Sequence, residues 1–220
     1  MIHNRTAPKH GETIVIMDDE THRYKDPDQI HGRRFVHQCP DIQLPDELLT
    51  VPKGKFESKF GVCQAIASNG LVSPPAIIEG TMNAEDYLQL CIKPVLLPWI
   101  RANFDINKCL FWPDMAGYHY TAPVRAYMRD NNLEFIKRNE NAPSLPQCRP
   151  IERFWALVKQ KMMRYETPAK SRLSFKRRWI HCSNTVMRNS GAKLFQNFRS
   201  RLNCVKRHGP LKVVTQNSQK

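Results

Sequence analysis

No apolar run in this 220-residue sequence approaches the ~20 residues a membrane-crossing helix needs, and no signal segment stands at its start. A helical membrane protein and a signal-led secreted protein are therefore not expected. There is no Cys-x-x-Cys pair: Cys39, Cys63, Cys91, Cys109, Cys148, Cys182 and Cys204 are scattered and odd in number. That speaks against a disulfide framework or a zinc site and fits reduced thiols in the cytosol or nucleus. No internal repeat is visible. Acidic residues are nearly missing from the last third: residues 151–220 hold 17 Lys/Arg but 2 Asp/Glu, whereas residues 1–150 hold 17 and 18. The whole net charge of +14 therefore resides in the C-terminal third, which calls for a polyanionic partner. A basic membrane-surface segment is the weaker competitor, because the cations do not form one amphipathic face.

What is present suffices for one domain with a substantial core. The apolar fraction is 41%, which argues against disorder throughout. Residues 1–12 are polar and expected to be disordered, 13–204 form the domain, and 205–220 make a basic flexible tail. Within the domain, TIVIMDD (13–19) reads as a buried strand stopped by charge. Residues 24–59, with four prolines among charges, form a long irregular insertion in which only RRFVH (33–37) looks strand-like. GVCQAIAS and LVSPPAIIEG flank Asn69-Gly70, a strong hairpin signal, and Pro74-Pro75 puts the start of the second strand at an edge or bulge. Asn83 caps a long helix in which Pro94 and Pro98 predict a kink or break. Then follow a strand at 108–114, a short helix at 121–132, a strand at 133–137 and a helix at 151–164. Helices at about 170–188 and 191–203 close the domain. This order predicts an α/β fold, a mixed sheet with helices on its faces.

Three carboxylates stand out. Asp19 ends the apolar run TIVIMDDE, Asp114 ends KCLFWPD, and Glu152 opens the amphipathic helix RPIERFWALVKQKM. In mixed sheets, sites gather outside the carboxyl ends of strands. Hard divalent cations take carboxylate oxygens, and two of them can steady both the attacking and the leaving oxygen of an in-line phosphoryl transfer. Each residue also has a plainer reading. Glu152 could merely complement its helix dipole, Asp114 could be a turn residue, and strand alternation lets only one of Asp18 and Asp19 face a site. Glu20 reads as a helper or a solvated side chain.

FWPDMAGYHYTAPVRAYM, NNLEFI and RPIERFWALVKQKM, with 37 residues between Asp114 and Glu152, resemble the catalytic domain of mariner-superfamily cut-and-paste DNA transposases, in a branch with that spacing. MDDET is similar to that family's first acidic block, with Asp19 at the catalytic position. The resemblance implies a ribonuclease-H-like mixed sheet with helices on both faces. It implies catalytic and metal-binding roles for Asp19, Asp114 and Glu152, and two Mg²⁺ (or Mn²⁺) ions. It further implies strand cleavage followed by strand transfer on double-stranded DNA, a homodimer on DNA, and no small-molecule cofactor. His119, five residues after Asp114, matches a position that would orient a carboxylate or contact DNA rather than ligate metal.

For DNA phosphates the candidates are Lys159, Lys161 and Arg164, then Arg172, Lys176, Arg177 and Arg178, with Arg188, Lys193, Arg199 and Arg201 beyond. Lys176-Arg177-Arg178 would also serve nuclear import, and a nuclear location is expected. Trp155 and Trp179 read as core anchors rather than base-stacking platforms. Mariner-type transposases place a helix-turn-helix region before the catalytic domain; only eighteen residues precede Asp19, so that module is expected to be absent. The rivals are a non-catalytic DNA-binding protein of transposase descent and a ribonuclease H or retroviral-type integrase sharing the fold.

Overall fold

The computed structural model describes residues 13–24, Pro45, 59–141, 148–165 and 167–209. The expectations for 1–12, for nearly all of the 24–59 insertion and for the end of the tail lie outside the described residues. Five strands make one sheet in the order β3-β2-β1-β4-β5: β1 (Ile14–Tyr24), β2 (Lys59–Ala67), β3 (Ala76–Glu79), β4 (Cys109–Trp112) and β5 (Glu134–Phe135). The hairpin neighbours β1–β2 and β2–β3 run antiparallel, while β1–β4 and β4–β5 run parallel.

The helical stretch after β3 begins with α1 (Ala84–Asp86), passes into a π-helix (Tyr87–Leu96) and ends in α2 (Leu97–Asn103). It is followed by α3 (Ala122–Asp130), α4 (Pro150–Met162), α5 (Arg172–Leu194) and α6 (Phe198–His208). The sheet is buried on both faces, which is why its central strands read as unbroken apolar runs. Val15 and Met17 point to α4 and α5, where Trp155 and Trp179 lie in the core as expected; Ile16 points the other way, to the π-helix and α3. On the α4–α5 side the rings of Phe60, Phe175, Trp179 and Trp155 follow one another with centroids 4.8–5.9 Å apart, and such aromatic pairs contribute roughly 0.5–1.5 kcal/mol each beyond burial.

Three expectations need correction. Charge does not stop β1 at Asp19: the strand continues to Tyr24 because Glu20–Tyr24 keep pairing with Cys63–Lys59 of β2. Its pairing with β4, however, ends at Met17↔Trp112, so Asp18 and Asp19 leave the parallel ladder together. Pro94 neither splits nor ends its helix. It sits inside the π-helical stretch, and the wider turn accommodates a residue that has no N–H to donate. Gly191 does not separate two helices either: α5 runs through it to Leu194, and α6 extends to His208, into the segment expected to be tail. A glycine is needed there because a Cβ at 191 would stand 3.0 Å from the Gly70 carbonyl oxygen in the β2–β3 turn. Gly70 itself holds φ +91°, which the Asn-Gly turn requires.

Candidate active site

Strand alternation decides between the two aspartates. Asp19 shares the face of Val15 and Met17 and so looks toward α4, whereas Asp18 looks toward the π-helix. Trp155 on α4 donates its indole N–H to Asp19 Oδ2 at 3.2 Å, and Asp19 Oδ1 accepts the Glu20 amide at 2.9 Å. Glu152 lies three residues before Trp155, hence on the same side of the helix. Asp18 is sealed inside: Tyr87, the first residue of the π-helix, donates its hydroxyl to Oδ2, and Oδ1 has no partner among the described residues.

Asp114 follows the end of β4 by two residues. Its Oδ1 accepts the Ala116 amide at 2.6 Å. The 3₁₀ turn Gly117–Tyr120 then carries His119 back, so that Nδ1 lies 2.6 Å from Asp114 Oδ1, as a close ion pair rather than an aligned hydrogen bond. The other ring nitrogen, Nε2, lies 3.2 Å from Glu20 Oε1, and Tyr118 donates its hydroxyl to Glu20 Oε2 at 2.7 Å. Glu20, on β1, is thereby coupled to Asp114 through one imidazole. Arg149 ties the ends of β1 and β4 together, donating to the Asp18 carbonyl at 2.8 Å and the Pro113 carbonyl at 3.1 Å over the Trp112 ring.

Carboxylate oxygens of Asp19, Glu20 and Asp114 lie within 4.8 Å of one another, a spacing that suits a shared cation. Glu152, expected as the third ligand, is not in that group: it stands exposed on α4 and acts on Asp19 through its charge. Burial pushes the Asp19 carboxyl up to about 7; Arg149 opposes this, and Glu152, Glu20 and Asp114 add to it. Burial likewise pushes Asp18 to about 7. Asp114 behaves in the opposite way: burial would raise it, but the adjacent His119, the Ala116 amide and Arg149 outweigh burial and hold it below the usual carboxylate range. For His119, burial disfavours the charge, yet Asp114 and Glu20 raise its pKa well above the ordinary value. An imidazolium between two carboxylates has no lone pair to offer a metal. Asp18, Glu20 and His119 also lie within 4.8 Å of one another, but His119 makes that group an ion-pair cluster rather than a cation site.

No family model matches this sequence, and no curated protein does. Solved structures do match. The Mos1 strand transfer complex superposes with a TM-score of 0.73 at 18% identity, covering 94% of this chain and 58% of that one. The mariner Mos1 paired end complex with Mg gives 0.73 at 16% identity, covering 95% and 59%. The catalytic domain of Mos1 mariner transposase gives 0.62 at 17% identity, covering 95% and 89%. This is the fold of the Mos1 catalytic domain. The chain spans 58–59% of the length of the Mos1 chains in those two complexes. The ribonuclease-H-like expectation holds in strand order, strand directions and the helices on both faces.

Within this mariner fold the expected phosphate contacts divide. Arg164 and Arg177 are exposed, and Lys159, Lys161 and Lys176 are partly so. Arg172 and Arg178 have structural tasks as well: Arg172 donates to the Ile77 carbonyl at 2.6 Å, and Arg178 donates to the Thr167 carbonyl at 2.6 Å and lies over the Tyr165 ring. Of the two readings that sequence offers for Glu20, helper or solvated side chain, its ties to Tyr118 and His119 favour the helper, whereas Arg149, Tyr118 and Tyr87 were not singled out by sequence. For Glu20 the available signal was its place one residue after Asp19; the partners of the others become visible only in the fold.

Proposed function

We propose that this chain is the catalytic domain of a mariner-type DNA transposase, cleaving double-stranded DNA in a divalent-cation-dependent reaction and then joining a DNA 3′-hydroxyl to a new phosphate. The observation that carries the reading is the meeting of Asp19 and Asp114 where β1 and β4 leave their parallel ladder, beside the helix bearing Glu152. The residues fit a cation pair. The charges of Glu152, Glu20 and Asp114 raise the proton affinity of Asp19, a repulsion that bound cations relieve, and the donors are all the hard oxygens that Mg²⁺ or Mn²⁺ selects. Two such ions would supply polarisation of the scissile phosphate and a hydroxide-like water at neutral pH.

The chain's own residues do the rest. Asp19 and Asp114 present oxygens from adjacent strands, and Glu152 adds its carboxylate from α4. Trp155 fixes the Asp19 side chain, and His119 pins Asp114 with help from Glu20 and Tyr118. Arg149 holds the two strand ends at constant separation. Lys159, Lys161, Arg164, Lys176 and Arg177, with the remaining donors of Arg172 and Arg178, bind duplex phosphates. By likeness to the Mos1 paired end complex, two copies act together on DNA ends. We place this work in the nucleus, in keeping with the basic cluster 176–178.

The test is plasmid nicking with and without Mg²⁺ or Mn²⁺. The wild-type chain nicks only with metal, and Asp114→Asn loses at least about a thousandfold in rate, some 4 kcal/mol of transition-state stabilisation. DNA binding without cutting in either protein would assign the chain to a non-catalytic binding module instead.

A further inference from the structure

A cleft of about 540 Å³ opens beside β5, the last strand of the sheet among the described residues. Arg125 and Arg129, one turn apart on α3, line one side, and Lys137 and Arg138 line the other. Phe135, half-buried, and Tyr120 form its apolar floor. All four cations are exposed, and among the described residues none lies within ion-pair distance of a carboxylate; the lining contains a single acid, Glu134. The cleft adjoins the carboxylates. Tyr120 directly follows His119, and its hydroxyl accepts from Asn141, which also donates to the carbonyl of Pro113, the residue before Asp114.

We propose that this cleft holds an unpaired nucleotide of a DNA strand, its base against Phe135 and Tyr120 and its flanking phosphates on Arg125, Arg129, Lys137 and Arg138. The inference rests on the DNA-processing reading above and names the part of the substrate that this site takes. Three observations select the occupant. Four exposed cations around one acid, none with a carboxylate partner among the described residues and Arg138 alone engaged, over the Tyr120 ring at 6.0 Å, match a polyanion. An apolar aromatic floor has no use for a duplex backbone but gives a stacking surface to an exposed base. The volume is that of a small-ligand site, not a duplex groove. A second copy of this chain is a poor occupant, because it brings a net charge of +14 to a basic rim and β5 offers only two residues for strand pairing.

The test is fluorescence anisotropy of the full chain with a labelled single-stranded oligonucleotide and with a duplex of equal length, across a salt series and without metal. The variants are Arg125→Ala/Arg129→Ala, Phe135→Ala, and Lys108→Ala/Arg101→Ala as a charge-matched control; melting curves confirm that each is folded. The expected result is about tenfold weaker single-strand binding for the first two variants, little change for the control, and a smaller change on duplex. The salt slope of the Arg125/Arg129 variant should fall by about 1.4, or 0.7 per lost phosphate contact. Equal losses in the control, or equal losses on duplex and single strand, would overturn the proposal. So would a concentration-dependent dimer abolished by Phe135→Ala with oligonucleotide binding intact, which would give the cleft to a second copy. Failure of the enzymatic reading is distinguishable: the wild type would then bind single strands through this cleft yet leave plasmid uncut.

Discussion

Replacing Asp19 by Asn should make the metal-free protein more stable at pH 8, although it removes a residue central to the proposed chemistry. Burial against Trp155, reinforced by the charges of Glu152, Glu20 and Asp114, pushes this carboxyl to about 7 from an ordinary 3.8. The folded chain therefore keeps the proton up to about pH 7, while the unfolded chain releases it near pH 4. The group's stabilisation is complete below about pH 4 and is lost as pH rises toward 7. A gap of about three units at 1.36 kcal/mol each amounts to about 4 kcal/mol above pH 7. Asn carries no charge and can still accept from the Trp155 indole, so the penalty vanishes. For a chain of this size 1 kcal/mol corresponds to about 2–4 °C, giving a rise in Tm of about 8–16 °C at pH 8 in EDTA. At pH 4.5 the advantage should shrink to about 1 kcal/mol, since Asp19 is then protonated in the folded wild type and only partly ionised in the unfolded chain. Excess Mg²⁺ should narrow the gap: wild type gains about 2.7 kcal/mol at a hundredfold excess over Kd, against its deficit of about 4 kcal/mol, and Asp19→Asn gains little. The assay is a thermal melt followed by circular dichroism at both pH values, with and without metal. An Asp19→Asn protein that melts no higher than wild type at pH 8 without metal, or whose advantage is as large at pH 4.5, would refute the reasoning.

His119→Ala should cut nicking by about 10–100-fold through weaker metal binding, with partial recovery as Mg²⁺ is raised. Without the imidazolium, Asp114 loses the partner that holds its pKa down, so the acidic limb of the pH–rate profile should move to higher pH. Gly191→Val should destabilise the fold by roughly 2 kcal/mol, seen as a lower denaturation midpoint in urea, because its Cβ meets the Gly70 carbonyl oxygen at 3.0 Å and the helix cannot yield without lifting off the β2–β3 turn.

Much of this site was legible because Asp19 and Asp114 each close an apolar run long enough to be a buried strand. Two parallel strands bring such ends together, and adjacency in the sheet is the one step that sequence order does not state. The choice of Asp19 over Asp18 was open until the burial of Val15 and Met17 against α4 fixed the face. The length of β1 was hidden because its last residues, ETHRY, are polar; they pair with β2 through backbone groups that side-chain pattern does not report. The break expected between residues 188 and 191 falls after Leu194 instead, because Gly191 stays helical and its missing side chain serves a close approach to a turn 121 positions earlier. The π-helix had no sequence signature beyond Pro94, and with it went the contact between Tyr87 and Asp18. His119 was placed correctly beside Asp114; its second tie, to Glu20, joins residues 99 positions apart that no local spacing connects.

The most direct test of the carboxylate centre is a crystal of the wild-type chain soaked in Mn²⁺ and measured at the manganese absorption edge. The account predicts two anomalous peaks about 3.5–4 Å apart, between Asp19 and Asp114 with Glu152 turned in from α4. An empty cluster at saturating Mn²⁺, or a single peak held by Asp18, Glu20 and His119, would contradict it.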